Sequence, residues 1–338
     1  MTKQDISKIK ALLCSPKKIV IVPHKNPDGD AIGSTLGLYH YLKLRNHKAT
    51  VIVPNDYPGF LKWMPNEDII IKYESDKTTA DELIKQAELI FTLDFNALHR
   101  AGDMEPVLQT ANAIKIMIDH HQQPDDYATY VYSDTNMSST CEMVYHFIEM
   151  LNDAQHIDSN IATCLYAGML TDTGSFRFPS TTSVTHHVAA DLIKKGANHS
   201  DIYNEIYDTN SYDRLQLLGK ALSNLKVIPE LRTAYITLTQ EELNQFNFKK
   251  GDTEGFVNYG LSIKNIIFAA IFIEHKQEGI IKISLRSKGN FSVNEFSRAH
   301  FEGGGHTNAA GGKSDLNLND TVEKFISILP RYKEALNL

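Results

Sequence analysis

Cysteine is scarce in this chain: Cys14, Cys141 and Cys164 are the only three among 338 residues, and no Cys-x-x-Cys spacing occurs. A small, odd, scattered set argues against a disulfide framework or a thiolate zinc site, so reduced structural thiols are expected. Long apolar runs are missing too. No uninterrupted stretch approaches the roughly 20 residues of a membrane span, and Met1-Thr2-Lys3-Gln4-Asp5 leads into no apolar signal core. A cytoplasmic protein with no membrane partner is expected. Positive charge is in deficit, with 41 acidic against 34 basic residues and a formal net charge of -7. A sequence-independent binder of long nucleic acid normally presents a basic surface, so a short acidic ligand in a local pocket is the better expectation. No Gly/Ser-rich linker, low-complexity tract or fixed-period repeat appears.

The length suits two domains on the usual prior of roughly 100–200 residues each. Over 19–22 a β-branched run, Ile-Val-Ile-Val, reads as a buried parallel strand. The cluster Pro27-Asp28-Gly29 ends it, and Ile32, Leu36, Tyr39 and Leu42 then recur at helical spacing. Further apolar strands are expected over 49–54, 89–93, 114–118 and 130–133. Ser138 or Ser139 could cap a helix through Val144, Phe147 and Leu151, and another helix from about Ile161 ends near Asp172. Strands alternating with helices predict an α/β fold: an N-terminal doubly wound, mainly parallel sheet with helices on both faces. Past residue 226 strands dominate, with a hairpin over 266–286 and a closing amphipathic helix, giving a smaller C-terminal α/β domain with a mixed sheet. The expected division is 1–195 for the first domain, 196–225 for a helical connector that includes one helix over 201–225, and 226–338 for the second.

Polar residues follow the expected strands in a pattern. His24, Asp28 and Asp30 follow the first, Asp94 the strand over 89–93, and Asp119, His120 and His121 the strand over 114–118; Asp172 ends a helix. Asp-Gly-Asp alone is ordinary turn chemistry, but four such segments at one sheet edge form a ligand set. Imidazole with carboxylate suits Mn, and also Zn or Fe, and two ions about 3.5–4 Å apart would clamp both oxygens of a displacement at phosphorus. The doublet His186-His187 serves as a control, lying in an expected helix with no carboxylate motif beside it.

The segments His24-x-x-Pro-Asp28-Gly-Asp30, Asp94-Phe-Asn, Asp119-His120-His121 and Thr171-Asp172-Thr173-Gly174 resemble, in order and spacing, the four motifs of the DHH phosphoesterase superfamily. The stretch over 303–312, Gly-Gly-Gly-His-x-x-Ala-Ala-Gly-Gly, is similar to the DHHA1 accessory domain, and the whole chain resembles the bacterial branch that acts on nanoRNA and 3′-phosphoadenosine 5′-phosphate. The resemblance implies two divalent ions, Mn2+ favoured, one on His24, Asp28 and Asp94 and the other on Asp30, Asp94, His120 and Asp172. It implies catalytic roles for Asp94 as bridge, His121 as donor or general acid to the substrate phosphate, and Asp119 as the residue orienting the histidine pair. It implies substrate binding by Arg286, Gly303, Gly304, Gly305 and His306.

The activity so implied is hydrolysis of short oligoribonucleotides and linear dinucleotides and dephosphorylation of 3′-phosphoadenosine 5′-phosphate to AMP, with long duplexes excluded as partners. A homodimer is compatible with this reading, the oligomeric state being left open. The alternatives are a family II-like inorganic pyrophosphatase, which shares the metal motifs but lacks the Gly-Gly-Gly-His segment, and a catalytically silent nucleotide-binding module.

Overall fold

Alternation along the first strands decides which core each side chain enters. In β1 (Lys18–Val22) Ile19 and Ile21 face one way and Val20 and Val22 the other. With β2 (Lys48–Val53), β3 (Ile71–Lys72), β4 (Leu89–Leu93), β5 (Ile114–Asp119) and β6 (Tyr130–Ser133), it builds a six-stranded sheet in the order β3-β2-β1-β4-β5-β6. Every pairing in it is parallel. A parallel sheet needs both faces covered. One face packs on α1 (Lys3–Leu12), α2 (Gly29–Leu44) and, further along the chain, α5 (Thr140–Met150), α6 (Ser159–Asp172), α7 (Ser183–Lys194) and α8 (His199–Tyr207). The other packs on α3 (Lys77–Gln86) and α4 (Glu105–Thr110) through Ala80, Ile84, Val107 and Leu108. This is the doubly wound α/β architecture expected from the sequence.

The computed structural model describes residues 1–337, and the chain splits into two compact units, Met1–Thr209 and Asn210–Leu338. The single helix expected over 201–225 is two helices. It breaks at Asp208-Thr209-Asn210-Ser211, where the Ser211 hydroxyl caps α9 (Tyr212–Ser223) by accepting from the Arg214 amide at 3.1 Å. Such short polar side chains compete for backbone hydrogen bonds and favour caps over helix interiors. The segment expected as a connector is thus shared, α8 belonging to the first unit and α9 to the second.

The second unit is built on β7 (Lys226–Ile228), β8 (Thr233–Leu238), β9 (Phe268–His275), β10 (Ile280–Ser287), β11 (Gly304–Gly305) and β12 (Ala309–Ser314). Their order is β11-β12-β10-β9-β8-β7, antiparallel except for the parallel β8–β9 pair, which is the mixed sheet expected. The short helices α10 (Gln240–Gln245), α11 (Val257–Ser262) and α12 (Val293–His300), then α13 (Leu318–Ile328) and α14 (Lys333–Asn337), complete it. Phe268, Phe272, Phe296, Phe301 and Phe325 fill the core on one face, and Leu217, Ile236, Phe256 and Ile271 that on the other. Among the described residues, no helix is long and apolar enough to cross a membrane.

Candidate metal centre

The order β3-β2-β1-β4-β5-β6 reverses its direction of growth between β1 and β4, and ligands of open α/β sheets bind beyond the carboxyl ends of the strands at such a point. His24 follows β1, and Asp94 follows β4. Asp28 divides its carboxylate between two tasks. Its Oδ1 caps α2 by accepting from the amides of Asp30 and Ala31, each at 3.1 Å, while Oδ2 lies 3.8 Å from His24 Nε2.

The ring of His24 is oriented by Nδ1, 2.9 Å from the Lys25 carbonyl, so Nδ1–H donates there and Nε2 is turned to Asp94 Oδ2, 3.3 Å away. His120 repeats the arrangement. Its Nδ1 lies 3.3 Å from the Met137 carbonyl, and its Nε2 lies 3.5 Å from Asp94 Oδ1, 3.5 Å from Asp172 Oδ2 and 3.8 Å from Asp30 Oδ2. Asp94 therefore presents a different oxygen to each histidine. It does so from a left-handed backbone, φ 64°, which Asp tolerates better than most residues.

Donor atoms of His24, Asp28 and Asp94 lie within 4.8 Å of one another, as do those of Asp30, His120 and Asp172. Both groups fit a divalent cation: histidines with Nδ1–H on a backbone acceptor and Nε2 turned to carboxylates are arranged as metal-binding histidines are. A third group, Asp94, Asp119 and His121, also clusters, but its space is taken by a direct hydrogen bond of 2.7 Å from His121 Nδ1 to Asp119 Oδ1.

Electrostatics agree with a site that calls for positive charge. Burial, with the carboxylates of Asp94 and Asp172 adding to it, pushes Asp30 well above the usual carboxylate range. Burial also resists ionisation of Asp94, yet hydrogen bonds from His120 and His24 outweigh it and hold that carboxyl well below its ordinary value. For His24 and His120 burial opposes charging, but Asp94 and its neighbours prevail and raise both. His121 behaves differently. Burial, then the nearby Arg100 cation, hold it well below the ordinary histidine value, and burial pushes its partner Asp119 up to about 6.

Two helices carry candidate ligands on either side of the site, Asp30 at the start of α2 and Asp172 at the end of α6. Their backbones approach closely because Gly29, Gly33 and Gly37 recur every fourth residue on α2. A Cβ on Gly33 would stand 2.5 Å from the Cys164 carbonyl oxygen, and one on Gly29 2.3 Å from Thr171 Oγ1. Across the seam, a Cβ on Gly168 of α6 would meet Cys141 Sγ at 2.2 Å and the Cα of Asp30 at 3.1 Å. The period-four glycines were visible in the sequence, but only the packing shows what they are for. Arg100 carried no motif signal. It lies on a 3₁₀ turn over Leu98–Met104, its carbonyl accepting from the Lys25 amide at 2.7 Å, and its charge acts on His24, Asp119 and His121.

Arg286, the three glycines and His306 belong to the second unit. There β12 brings them to one sheet edge, with Ala309 paired to Arg286 of β10 and Ala310 paired to Gly305 of β11. Gly303 and Gly305 are required by the chain itself: a Cβ on Gly303 would lie 1.9 Å from the Gly311 carbonyl oxygen, and Gly305 has φ +152° with the Ala309 carbonyl oxygen 2.4 Å from its Cβ position. Gly304 meets only the side chains of Asn294 and Arg298, at 3.3 and 3.5 Å. His306 closes the turn, its amide donating to the Ala309 carbonyl at 2.7 Å. The control doublet His186-His187 is exposed on α7, His186 beside Phe176 and His187 bonded to the Ser183 carbonyl.

Comparison with known proteins adds a second line of observation. Residues 18–169 match the DHH family, N-terminal domain, and residues 232–334 the DHHA1 domain. A probable bifunctional oligoribonuclease and PAP phosphatase, NrnA, of Streptococcus mutans is 31% identical over 92% of this chain and 93% of its own length. The bifunctional oligoribonuclease and PAP phosphatase NrnA of Thermus thermophilus is 30% identical over 91% of this chain and 88% of its own. A crystal structure of an exopolyphosphatase-related protein from Bacteroides fragilis superposes with a TM-score of 0.96 at 42% identity, covering 100% of this chain and 98% of the other.

Proposed function

The chain belongs to the DHH family of phosphoesterases, and from that membership we propose that it hydrolyses short oligoribonucleotides and linear dinucleotides and dephosphorylates 3′-phosphoadenosine 5′-phosphate to AMP. Relatives alike over nearly their whole length carry both activities in their names. The observation that carries the reading is Asp94, whose two oxygens face the Nε2 atoms of His24 and His120.

In this reading His24, Asp28 and Asp94 hold one divalent cation, and Asp30, Asp94, His120 and Asp172 hold a second. Mixed imidazole and carboxylate donors suit Mn2+, and also Zn or Fe. When bound, such a pair supplies Lewis-acid charge at phosphorus and lowers the pKa of the attacking water. The protein's own part is to hold and exclude. Asp30, Asp94, Asp119 and His120 are each at most 5% exposed, so bulk water does not screen the charges they carry. Asp119 accepts Nδ1–H of His121 and so fixes the tautomer and faces the imidazolium formed when Nε2 takes up a proton. The negative charge of a bound phosphate would raise His121 from the low value it has in the free site, and the proton it then carries would go to the departing oxygen. Arg286 and the segment over 303–306 are assigned to the nucleotide, Arg286 offering a charged fork to phosphate.

Against a pyrophosphatase stands the DHHA1 match over 232–334, which takes in the Gly-Gly-Gly-His segment that alternative lacks, and a silent binding module could dispense with Asp30 or His120, both of which are present. The test is a panel of 3′-phosphoadenosine 5′-phosphate, pApA, short RNA and pyrophosphate with Mn2+ or Mg2+, products resolved by chromatography. AMP and mononucleotides are expected. Cleavage of pyrophosphate alone, or binding without turnover, would replace this reading with the corresponding alternative.

A further inference from the structure

We propose that Thr140 is a positioning residue for the cation on the His120 side of the site, the chain's grip on that ion depending on the Thr140 hydroxyl. This role rests on the two-cation reading above. Thr140 is the first residue of α5 and is fully buried. Its hydroxyl donates to Asp94 Oδ1 at 2.9 Å, and its amide donates to Asp30 Oδ2 at 2.6 Å. The next amide, of Cys141, donates to Asp30 Oδ1 at 2.8 Å. Two carboxylates from different segments, β1's following helix and the end of β4, are thus tied to one helical turn.

The ties are unequal in a way that matters. Asp94 Oδ1, which takes the hydroxyl, is the oxygen facing His120, whereas Oδ2 faces His24. Asp30 Oδ2, which takes the amide, is likewise the oxygen facing His120. Both contacts therefore fall on oxygens that face His120, one on Asp30, which groups with His120 and Asp172, and one on Asp94, whose other oxygen faces His24. The two amides of this turn each take one oxygen of Asp30, so the orientation of that carboxyl group is fixed from the helix start.

The turn is itself anchored. Ser139 caps α5 by accepting from the Glu142 amide at 3.0 Å. Glu142 Oε2 accepts from the Ser138 amide at 3.2 Å, from the Ser138 hydroxyl, and from the Thr185 hydroxyl of α7 at 3.1 Å. On the other side the Asp30 backbone lies against α6, its Cα 3.1 Å from the Cβ position of Gly168, so the carboxyl group is held between that helix and the amides of Thr140 and Cys141. Of the three donors that this turn gives to the two carboxylates, the Thr140 hydroxyl is the one a substitution removes, since the other two are amides; the Cys141 thiol donates to the Asp30 backbone carbonyl instead.

The experiment is Mn2+ titration of the full chain, followed by calorimetry and by electron paramagnetic resonance of free Mn2+, for wild type, Thr140→Val and Thr140→Ser. Partners that orient metal ligands typically contribute 10–100-fold in affinity. Thr140→Val, equal in shape but without the donor, is expected to weaken the second ion about 10–100-fold while the first stays within about twofold, and Thr140→Ser to keep both. Wild-type uptake of both ions by Thr140→Val overturns the role. So does equal loss of both ions with a lowered melting temperature of the metal-free protein, which marks a purely structural residue. A wild-type chain that takes up no Mn2+ overturns the two-cation reading and this role with it.

Discussion

His24 and Asp94 meet through single atoms, Nε2 to Oδ2 at 3.3 Å, because each is fixed from behind. The Lys25 carbonyl holds the imidazole, and the Ile118 carbonyl, accepting from the Asp94 amide at 3.1 Å, holds the aspartate in its left-handed turn. Neither side chain has to be ordered by a cation. Asp94→Asn keeps the size and tolerates the positive φ, so folding should survive, while Mn2+ content and turnover should collapse together. Near-normal Mn2+-dependent activity in this variant would sink the shared-ligand assignment.

His121 is expected to separate rate from metal. Its Nδ1 is engaged by Asp119, so His121→Ala should keep metal content while losing roughly 10²–10⁴-fold in kcat, the usual range for a general acid. Elemental analysis beside the kinetics decides it. Loss of metal in step with rate would make His121 a ligand.

Arg286→Ala and His306→Ala should leave metal content intact. If each removes a charge-assisted contact, the loss is about 1.5–3 kcal/mol, roughly ten- to a hundredfold in kcat/KM for 3′-phosphoadenosine 5′-phosphate and short RNA. A small artificial phosphodiester should suffer less. Wild-type rates on every substrate would remove these residues from the substrate site.

Two glycine substitutions should have opposite signs. Gly33→Ala would set a Cβ 2.5 Å from the Cys164 carbonyl oxygen and 3.1 Å from the Gly168 nitrogen, both backbone atoms. The overpacking, about 1–3 kcal/mol, should outweigh the gain of about 1 kcal/mol in helix propensity. Thermal stability should fall, and so should metal affinity, since Asp30 and Asp172 ride on the two helices. Gly219, inside α9, has nothing within 4 Å of its Cβ position, so Gly219→Ala should raise the melting temperature. A stabilised Gly33→Ala would contradict the close-packed seam.

Glu142 supplies a pH signature. Burial resists its ionisation, but His146, Ser138 and Thr185 together outweigh that and hold its carboxyl below the ordinary value of 4.5. A carboxyl lowered on folding contributes stability that is present above its unfolded pKa and is lost as pH falls through the folded one. The stability gap between wild type and Glu142→Gln should therefore be largest above about pH 4.5 and close below it. Denaturant titrations of the metal-free proteins across that window measure it, and a gap that widens on acidification would reverse the assignment.

The sequence by itself determined what depends on near neighbours along the chain. The β-branched run before Pro23, the Pro27-Asp28-Gly29 cluster and the apolar residues after it fix strand, loop and helix locally, and the same logic places Asp94 and Asp119-His120-His121 after their strands. Repetition of that unit implied the doubly wound sheet. The tertiary structure decided what depends on distant segments. Which oxygen of Asp94 faces which histidine follows from the β1–β4–β5 pairing, and the separation of Asp30 from Asp172 follows from glycines on one helix meeting the backbone of another. The α5 clamp joins residues more than a hundred positions apart, a juxtaposition that no periodicity encodes. The break at 208–211 and the need for Gly303 and Gly305 were equally settled by context. Local propensity chooses the elements, but the contacts that fix a site are made across the fold, where steric fit and shared hydrogen bonds rule.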